Sequence, residues 1–526
     1  MRKRSRIYYL WLMSAILCLF LLGRLAYIQV IKGNYFAKKA EEQRIGSSNS
    51  ARGGVFDRNG ELLSDTFYEK HVVISPGMLS KDEKDFITRM DFDFEDNGKP
   101  QDIKIPEDCI SVITKKKLNT PGVFVYDKAI RYGDKALATH TIGYLGQTGI
   151  EKTFDHILSQ GKKIDLVKDG LRQPIVGLSN DVEQIPSWGV KLTIDKRIQS
   201  IVESVMDKRI DKGAVLVLDA NSSEILAIAS RPNYKQYRLN EYLERDDSPL
   251  INRSVEGYTP GSIFKIVMLA AALEENICDL DEKFFCPGYT KVGENVFKCS
   301  SFKDGGHGVL SIRDAMAYSC NSVFIQLGIR LGEEKIIEYA NRFGLGKKVN
   351  IGLPEEKKGF IPLKQDVYYQ DIGNLSLGQG KMTITPLQAS QILLPIVNNG
   401  VLKKPYLIKE VTDFKENIVY KCLETKPIKV ISTMTAQDVK KALAAVTSYG
   451  TGKNAMPANA NMVSAGKTGT AEVGKDLYHA WFTGFYPIDN PRYIITVFIE
   501  KGGSASSKAA PAFKEIADEI ISKKAN

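Results

Sequence analysis

One stretch sets the terms for the rest of the chain. Tyr258-Thr259-Pro260-Gly261-Ser262-Ile263-Phe264-Lys265 leads into an uninterrupted apolar run from Ile266 to Leu273. Such a run has no polar face to turn to water, so it predicts a buried helix with a domain built around it. Pro and Gly stand before the run and not within it, which puts the helix start near Ser262. Ser262 and Lys265 then lie one turn apart on a shared face, their Cβ atoms about 5–6 Å from each other. A serine is a weak nucleophile until a base sits within hydrogen-bond reach. A lysine can be that base where burial lowers its pKa. The helix N-terminus adds partial positive charge and free N–H groups where an oxyanion would form. Taken alone, Ser-x-x-Lys is a weak signal, and in most occurrences it reads as a solvated serine cap beside a surface lysine.

The 526 residues are enough for two to four domains. Arg2, Lys3, Arg4 and Arg6 precede an apolar run from Ile7 to Leu22 that continues less purely to Ile31. A cleaved signal peptide starts the same way, but no small-x-small cleavage site follows. The stretch approaches a bilayer in length, so the expectation is an uncleaved single-pass anchor over 7–31, with residues 1–6 cytoplasmic and the rest outside the cell membrane. Residues 32–50 read as a polar helical stalk. Arg52 to Leu63, with Asn59-Gly60 at its centre, reads as a hairpin. No catalytic cluster appears between 66 and 188, which suggests a mixed α+β spacer over 32–190.

From Lys191 the texture changes. A helix is expected from Lys196 to about Lys212, then an antiparallel pair of strands over 213–219 and 224–230. His479–Tyr486 and Tyr493–Glu500 read as two more strands. Ala509 to Lys524 carries apolar residues at helical spacing. The fold class is therefore α/β of the α+β kind: over 191–526, a central antiparallel sheet with helices on it and a helical subdomain across roughly 235–430. A net charge of +10 on a chain this long, with no arginine-rich block, gives nucleic-acid binding little support.

Two further motifs follow the serine. Ser319-Cys320-Asn321 sits between apolar helical runs at 309–317 and 323–331. Its hydroxyl and carboxamide can relay a proton and hold a substrate amide, although Ser and Asn between helices commonly serve only as caps. Lys467-Thr468-Gly469-Thr470 is expected on a strand paired with the one that holds Trp481. There Gly469 would let a substrate backbone lie close, and Lys467 and Thr468 could hold a carboxylate. Gly466-Lys467-Thr468 also resembles part of a nucleotide-binding loop, but Asn461 stands where that pattern needs glycine, and Thr447 does so before Gly452-Lys453.

Ser-x-x-Lys, Ser-x-Asn and Lys-Thr-Gly in this order are far more specific than any one of them. With Arg52-Gly53, Asp57-Arg58-Asn59-Gly60, Leu192-Thr193-Ile194-Asp195, Asn252-Arg253 and Ser376-Leu377-Gly378-Gln379-Gly380, the chain resembles a class B penicillin-binding protein from anchor to C-terminus. The resemblance implies a pedestal domain and a β-lactamase-like transpeptidase domain that cross-links peptidoglycan stem peptides and is inhibited by β-lactams. It implies Ser262 as nucleophile, Lys265 as base, and Ser319 and Asn321 as proton shuttle and amide holder. It also implies that Lys467, Thr468 and Thr470 bind the terminal carboxylate, with Gly469 at the substrate backbone and the N–H groups of Ser262 and Thr470 as oxyanion hole. The chemistry needs no cofactor. No glycosyltransferase domain is evident, so the implied partner is a membrane glycan polymerase of the SEDS family. A β-lactamase or penicillin sensor, or a cell-wall scaffold, are the competing readings. Cys320 stands where the β-lactamase pattern has Asp.

Cys286 and Cys299 flank a hairpin-like loop, with Asp304 and His307 following. Three readings stay open: a structural zinc on Cys286, Cys299, Asp304 and His307; a Cys286–Cys299 disulfide; or free thiols beside a turn histidine.

Overall fold

The computed structural model describes residues 2–27, 32, 45–48, 52–74, 76–90, 101–106, 108–110, 122–160, 164–167, 188–422, 426–458, 463–474 and 476–522. Its centre is a five-stranded sheet in the order Ala465–Gly474, Leu477–Tyr486, Tyr493–Ile499, Gly213–Asp219, Ile225–Arg231, every neighbour antiparallel. Alternation along Gly213–Asp219 sorts the two faces. Ala214, Leu216 and Leu218 join the core that holds the serine helix, whereas Val215 and Val217 pack under helices Lys196–Arg209 and Ala509–Ser522. The expected strands and both helices are present, with boundaries moved by a few residues at most. Asp195 caps Lys196–Arg209 by accepting from the N–H groups of Arg197 and Ile198.

The serine helix, Lys265–Glu274, runs through the interior with Lys265 to Ala272 all buried, as an apolar run without a polar face requires. Its start differs slightly from expectation. Gly261–Ile263 is a 3-10 turn, and regular helix begins only at Lys265. The expected helix over 309–317 is shorter. Gly308–Ser311 is a strand paired with Lys283–Cys286, and the helix Ile312–Ala317 begins where the Ser311 hydroxyl accepts from Asp314 N–H. Alternate side chains explain this: Val309 is exposed and Leu310 buried.

The described chain divides into two compact units. One comprises residues 1–52, 67–130 and 159–186, the other 53–66, 131–158 and 187–526. The contiguous boundary expected at 190 does not coincide with this division, because two earlier segments belong to the larger unit. Gly54–Phe56 pairs in parallel with Gly189–Leu192, and Ile142, Ile150 and Leu158 are fully buried in the main core. The expected hairpin at 52–63 is present but short: Asp57 N–H donates to Glu61 O and Leu63 N–H to Val55 O around a Phe56–Leu62 bridge, and the Asp57 carboxylate accepts from the N–H groups of Asn59, Glu61 and Lys196.

In the smaller unit, Phe67–Ile130 carries a three-stranded antiparallel sheet and the helix Lys81–Arg89 around Val72, Ile74, Ile87, Ile105 and Val123. Of the expected stalk at 32–50, residues 45–48 form a strand paired with Ile164–Val167, and most of the rest lies outside the described residues. Arg2–Ala26 is helical. Among the described residues no helix is long and apolar enough to cross a membrane; the side chains of 2–8 and 10 lie outside that description.

Candidate active site

Three segments distant in sequence meet around the serine turn. The strand Ala465–Gly474 lies along it: a methyl on Gly469 would sit 2.7 Å from Ile263 Cγ1, so only glycine lets strand and turn approach this closely. Trp481, directly across from Gly469, donates from Nε1 to Thr259 O at 3.2 Å and pins the chain before the turn. The Ser319–Asn321 turn closes the third side. Ser319 adopts φ +56, a left-handed conformation unfavourable for a residue with a Cβ. The strain is held in place by the lysines that bind it.

Lys265 Nζ donates to Ser319 O at 2.8 Å, to Asn321 Oδ1 at 2.7 Å and to Ser319 Oγ at 3.3 Å. Lys467 Nζ donates to the same Ser319 Oγ at 2.9 Å and to Thr468 O at 2.9 Å. One hydroxyl thus lies between two lysine amino groups from different segments. Both lysines are 0% exposed. Burial lowers the Lys265 pKa to about 8. Burial, and after it the nearby Lys265 charge, hold Lys467 well below the ordinary lysine value. Among the described residues Lys265 finds its partners on the second motif and not at Ser262, which is half-buried at the mouth of the site. Asn321 spends its other amide atom on Lys298 O at 3.1 Å. Thr470 is exposed on the open side of the strand.

All three expected motifs therefore converge. Two contributors were not singled out as site residues from sequence. Gly378, noted only as part of a landmark, has its carbonyl accepting from Gly261 N–H at 2.9 Å; a Cβ there would lie 2.5 Å from Gly261 O, and its φ is +65. Thr451 bridges to Thr468 through their hydroxyls at 2.7 Å. Neither belongs to a chemistry-bearing motif; a Gly-Thr-Gly step at 450–452 was the only available signal.

The cysteine group differs in membership from the expected one. The donor atoms of Cys286, Cys299, His307 and Cys320 all lie within 4.8 Å of one another. Cys320 completes this set and Asp304 does not, because Asp304 sits on the exposed 3-10 turn Phe302–Asp304 and faces solvent. His307 Nδ1 stands 3.6 Å from Cys286 Sγ, 3.5 Å from Cys299 Sγ and 2.9 Å from Ser301 Oγ. The Cys299 and Cys320 sulfur atoms share a hydrogen bond at 3.8 Å, which pulls the Cys299 pKa down and pushes that of Cys320 up. All these cysteines are free thiols, so no Cys286–Cys299 disulfide is present.

Residues 213–518 match the family model described as penicillin binding protein transpeptidase domain. "Stage V sporulation protein D" of Bacillus subtilis is 30% identical over 94% of this chain and 82% of its own length. "Peptidoglycan D,D-transpeptidase MrdA" of Haemophilus influenzae is 29% identical over 72% of this chain and 63% of its own. The solved "Penicillin-Binding Protein (PBP2) from Helicobacter pylori" superposes with a TM-score of 0.72 at 25% identity, covering 90% of this chain and 98% of that one. The chain belongs to the penicillin-binding protein transpeptidase family, and within it to the class B proteins. It is a D,D-transpeptidase, the activity by which its relatives are named.

Proposed function

We propose that this chain cross-links peptidoglycan stem peptides through an acyl-enzyme on Ser262. The single observation that carries the residue assignment is the pair of fully buried lysines sharing Ser319 Oγ beside the serine turn. Ser262 Oγ attacks the carbonyl of the penultimate D-Ala, D-Ala leaves, and an amine from a second stem peptide takes the acyl group. Main-chain N–H groups of Ser262 and Thr470 receive the oxyanion. Lys467, Thr468 and Thr470 hold the terminal carboxylate, and Asn321 holds the peptide amide.

The two lysines supply the proton control. Lys265 carries a proton in the free protein below about pH 8, and its charge together with burial disfavours a second proton on Lys467. A carboxylate arriving about 4 Å from Lys467 favours its ammonium by about 4 kcal/mol at the effective dielectric of such sites, equal to about three pKa units. Ser319 Oγ accepts the Lys265 proton while giving its own to Lys467. Lys265 is left neutral, one turn from Ser262, as the base. Substrate binding itself thus arms the nucleophile.

The Arg2–Ala26 helix, about 37 Å long, exposes Trp11, Met13, Leu17, Phe20 and Leu22. The single-pass anchor, with its basic end in the cytoplasm and the enzyme outside, rests on the basic residues before the apolar run and on the class B resemblance. The domain assignment as anchor, pedestal and transpeptidase, and a SEDS-family polymerase as partner, rest on the class B resemblance. The Cys286, Cys299, His307 and Cys320 set fits a structural zinc: ligand atoms around tetrahedral zinc stand about 3.5–3.8 Å apart, three of the pairs here stand at 3.6, 3.5 and 3.8 Å, and all lie within 4.8 Å. Zinc would tie Cys320, and with it the Ser319–Asn321 turn, to the neighbouring hairpin.

The test is intact-mass analysis of the full chain after exposure to a penicillin. A stable single adduct that disappears in Ser262→Ala supports the acyl-enzyme. Rapid turnover of the adduct favours the β-lactamase reading, and no adduct at all overturns both.

A further inference from the structure

Thr451 joins two of the three walls of the site. It lies between the helix Thr433–Ser448 and the third-motif strand, on the loop that follows Tyr449. Its N–H donates to Ala317 O at 3.0 Å, two residues before Ser319, and its hydroxyl reaches the same oxygen at 3.3 Å. The hydroxyl also meets Thr468 Oγ1 at 2.7 Å. Ser506 Oγ donates to Thr451 O at 2.6 Å and fixes the loop from behind.

Two proton arrangements satisfy these contacts. In one, Thr451 donates to Ala317 O and Thr468 donates to Thr451, so Thr468 presents only lone pairs to a ligand. In the other, Thr451 donates to Thr468, and the Thr468 proton is released toward the cleft. The exchange gives up only the 3.3 Å contact, because Ala317 O keeps the shorter N–H bond. A carboxylate has no proton to donate, so it selects the second arrangement. We propose that Thr451 is a positioning residue for carboxylate recognition: its hydroxyl turns the Thr468 proton toward a carboxylate-bearing substrate or inhibitor. This rests on Thr468 as a carboxylate ligand.

The experiment measures second-order acylation of the full chain by benzylpenicillin and by its methyl ester at one pH, for wild type, Thr451→Val, Thr451→Ser and Thr468→Val. Loss of one oriented hydrogen bond to a charged group predicts a roughly tenfold slower reaction of Thr451→Val with the acid and an unchanged rate with the ester. Thr451→Ser should return the acid rate to within about twofold, since it keeps the hydroxyl. An equal loss on acid and ester would show a packing role, and no loss on either would show no role; both overturn the inference. If Thr468→Val also left the preference for the acid intact, the assignment of Thr468 would fail. A sensitive Thr468→Val beside an insensitive Thr451→Val would sink only Thr451. Should Thr451→Val not fold, Thr451→Ala is read in the same way.

Discussion

If one proton is shared across Ser319 Oγ, the carboxylic acid and the ester of the same β-lactam should show opposite pH dependence. The acid needs the singly protonated lysine pair, because the proton must end on Lys467. The ester needs only a neutral Lys265. With Lys265 at about 8 in the free protein, the fraction of Lys265 that carries its proton falls from roughly nine-tenths at pH 7 to roughly one-tenth at pH 9. Acylation by the acid should therefore drop about tenfold over that interval. The neutral form rises by the same factor, so acylation by the ester should climb about tenfold. Preference for the acid shrinks by about a hundredfold. The assay is rapid-quench acylation, read by intact mass, at constant ionic strength from pH 6.5 to 9. Parallel profiles for the two compounds would refute the shared proton, and an acid rate that rises through pH 8 would show that Lys265 acts without Lys467.

Two other outcomes follow from the same geometry. Purified protein should carry a single zinc that survives Asp304→Ala and is lost in Cys320→Ser, with a lower melting temperature in the latter; retention of metal in Cys320→Ser measured by elemental analysis would disprove the assigned ligand set. Gly378→Ala places a methyl 2.5 Å from Gly261 O at φ +65, costs about 1–3 kcal/mol in backbone strain and displaces the serine turn, so acylation should fall at least about tenfold. Gly380→Ala, at φ +75 but 3.5 Å from its nearest neighbour, carries the strain without the displacement and should change melting temperature more than acylation rate.

Much of the site was legible because its chemistry is carried by short motifs whose internal spacing is local. Ser262 and Lys265 are one turn apart in any helix, and the strand through Lys467 to Thr470 is placed by pairing with the next one, which holds Trp481. What sequence could not supply was contact between segments. Asp304 and His307 follow the two cysteines closely in sequence, yet a surface turn leaves Asp304 exposed, while Cys320 arrives from the far side of a helix junction. Lys265 was expected to address Ser262; the fold gives it three acceptors on the second motif instead. Thr451 carries no catalytic signature, and its relation to Thr468 exists only once the loop and strand are folded together. The division of the chain into compact units turns on the same kind of contact. Residues 53–66 and 131–158 read as part of a spacer, and only pairing with 189–192 and burial of Ile142, Ile150 and Leu158 assign them elsewhere.

That interleaving limits how the enzyme can be cut. A truncation starting at residue 191 would delete Gly189 and Val190 and strip the parallel neighbour Gly54–Phe56 from what is left of that strand. It would also uncover the apolar patch that Ile142, Ile150 and Leu158 now cap. Such a fragment would present a raw strand edge and invite aggregation. Any graft of this catalytic unit onto another carrier must therefore bring three pieces of polypeptide, joined at loops, rather than a single cassette.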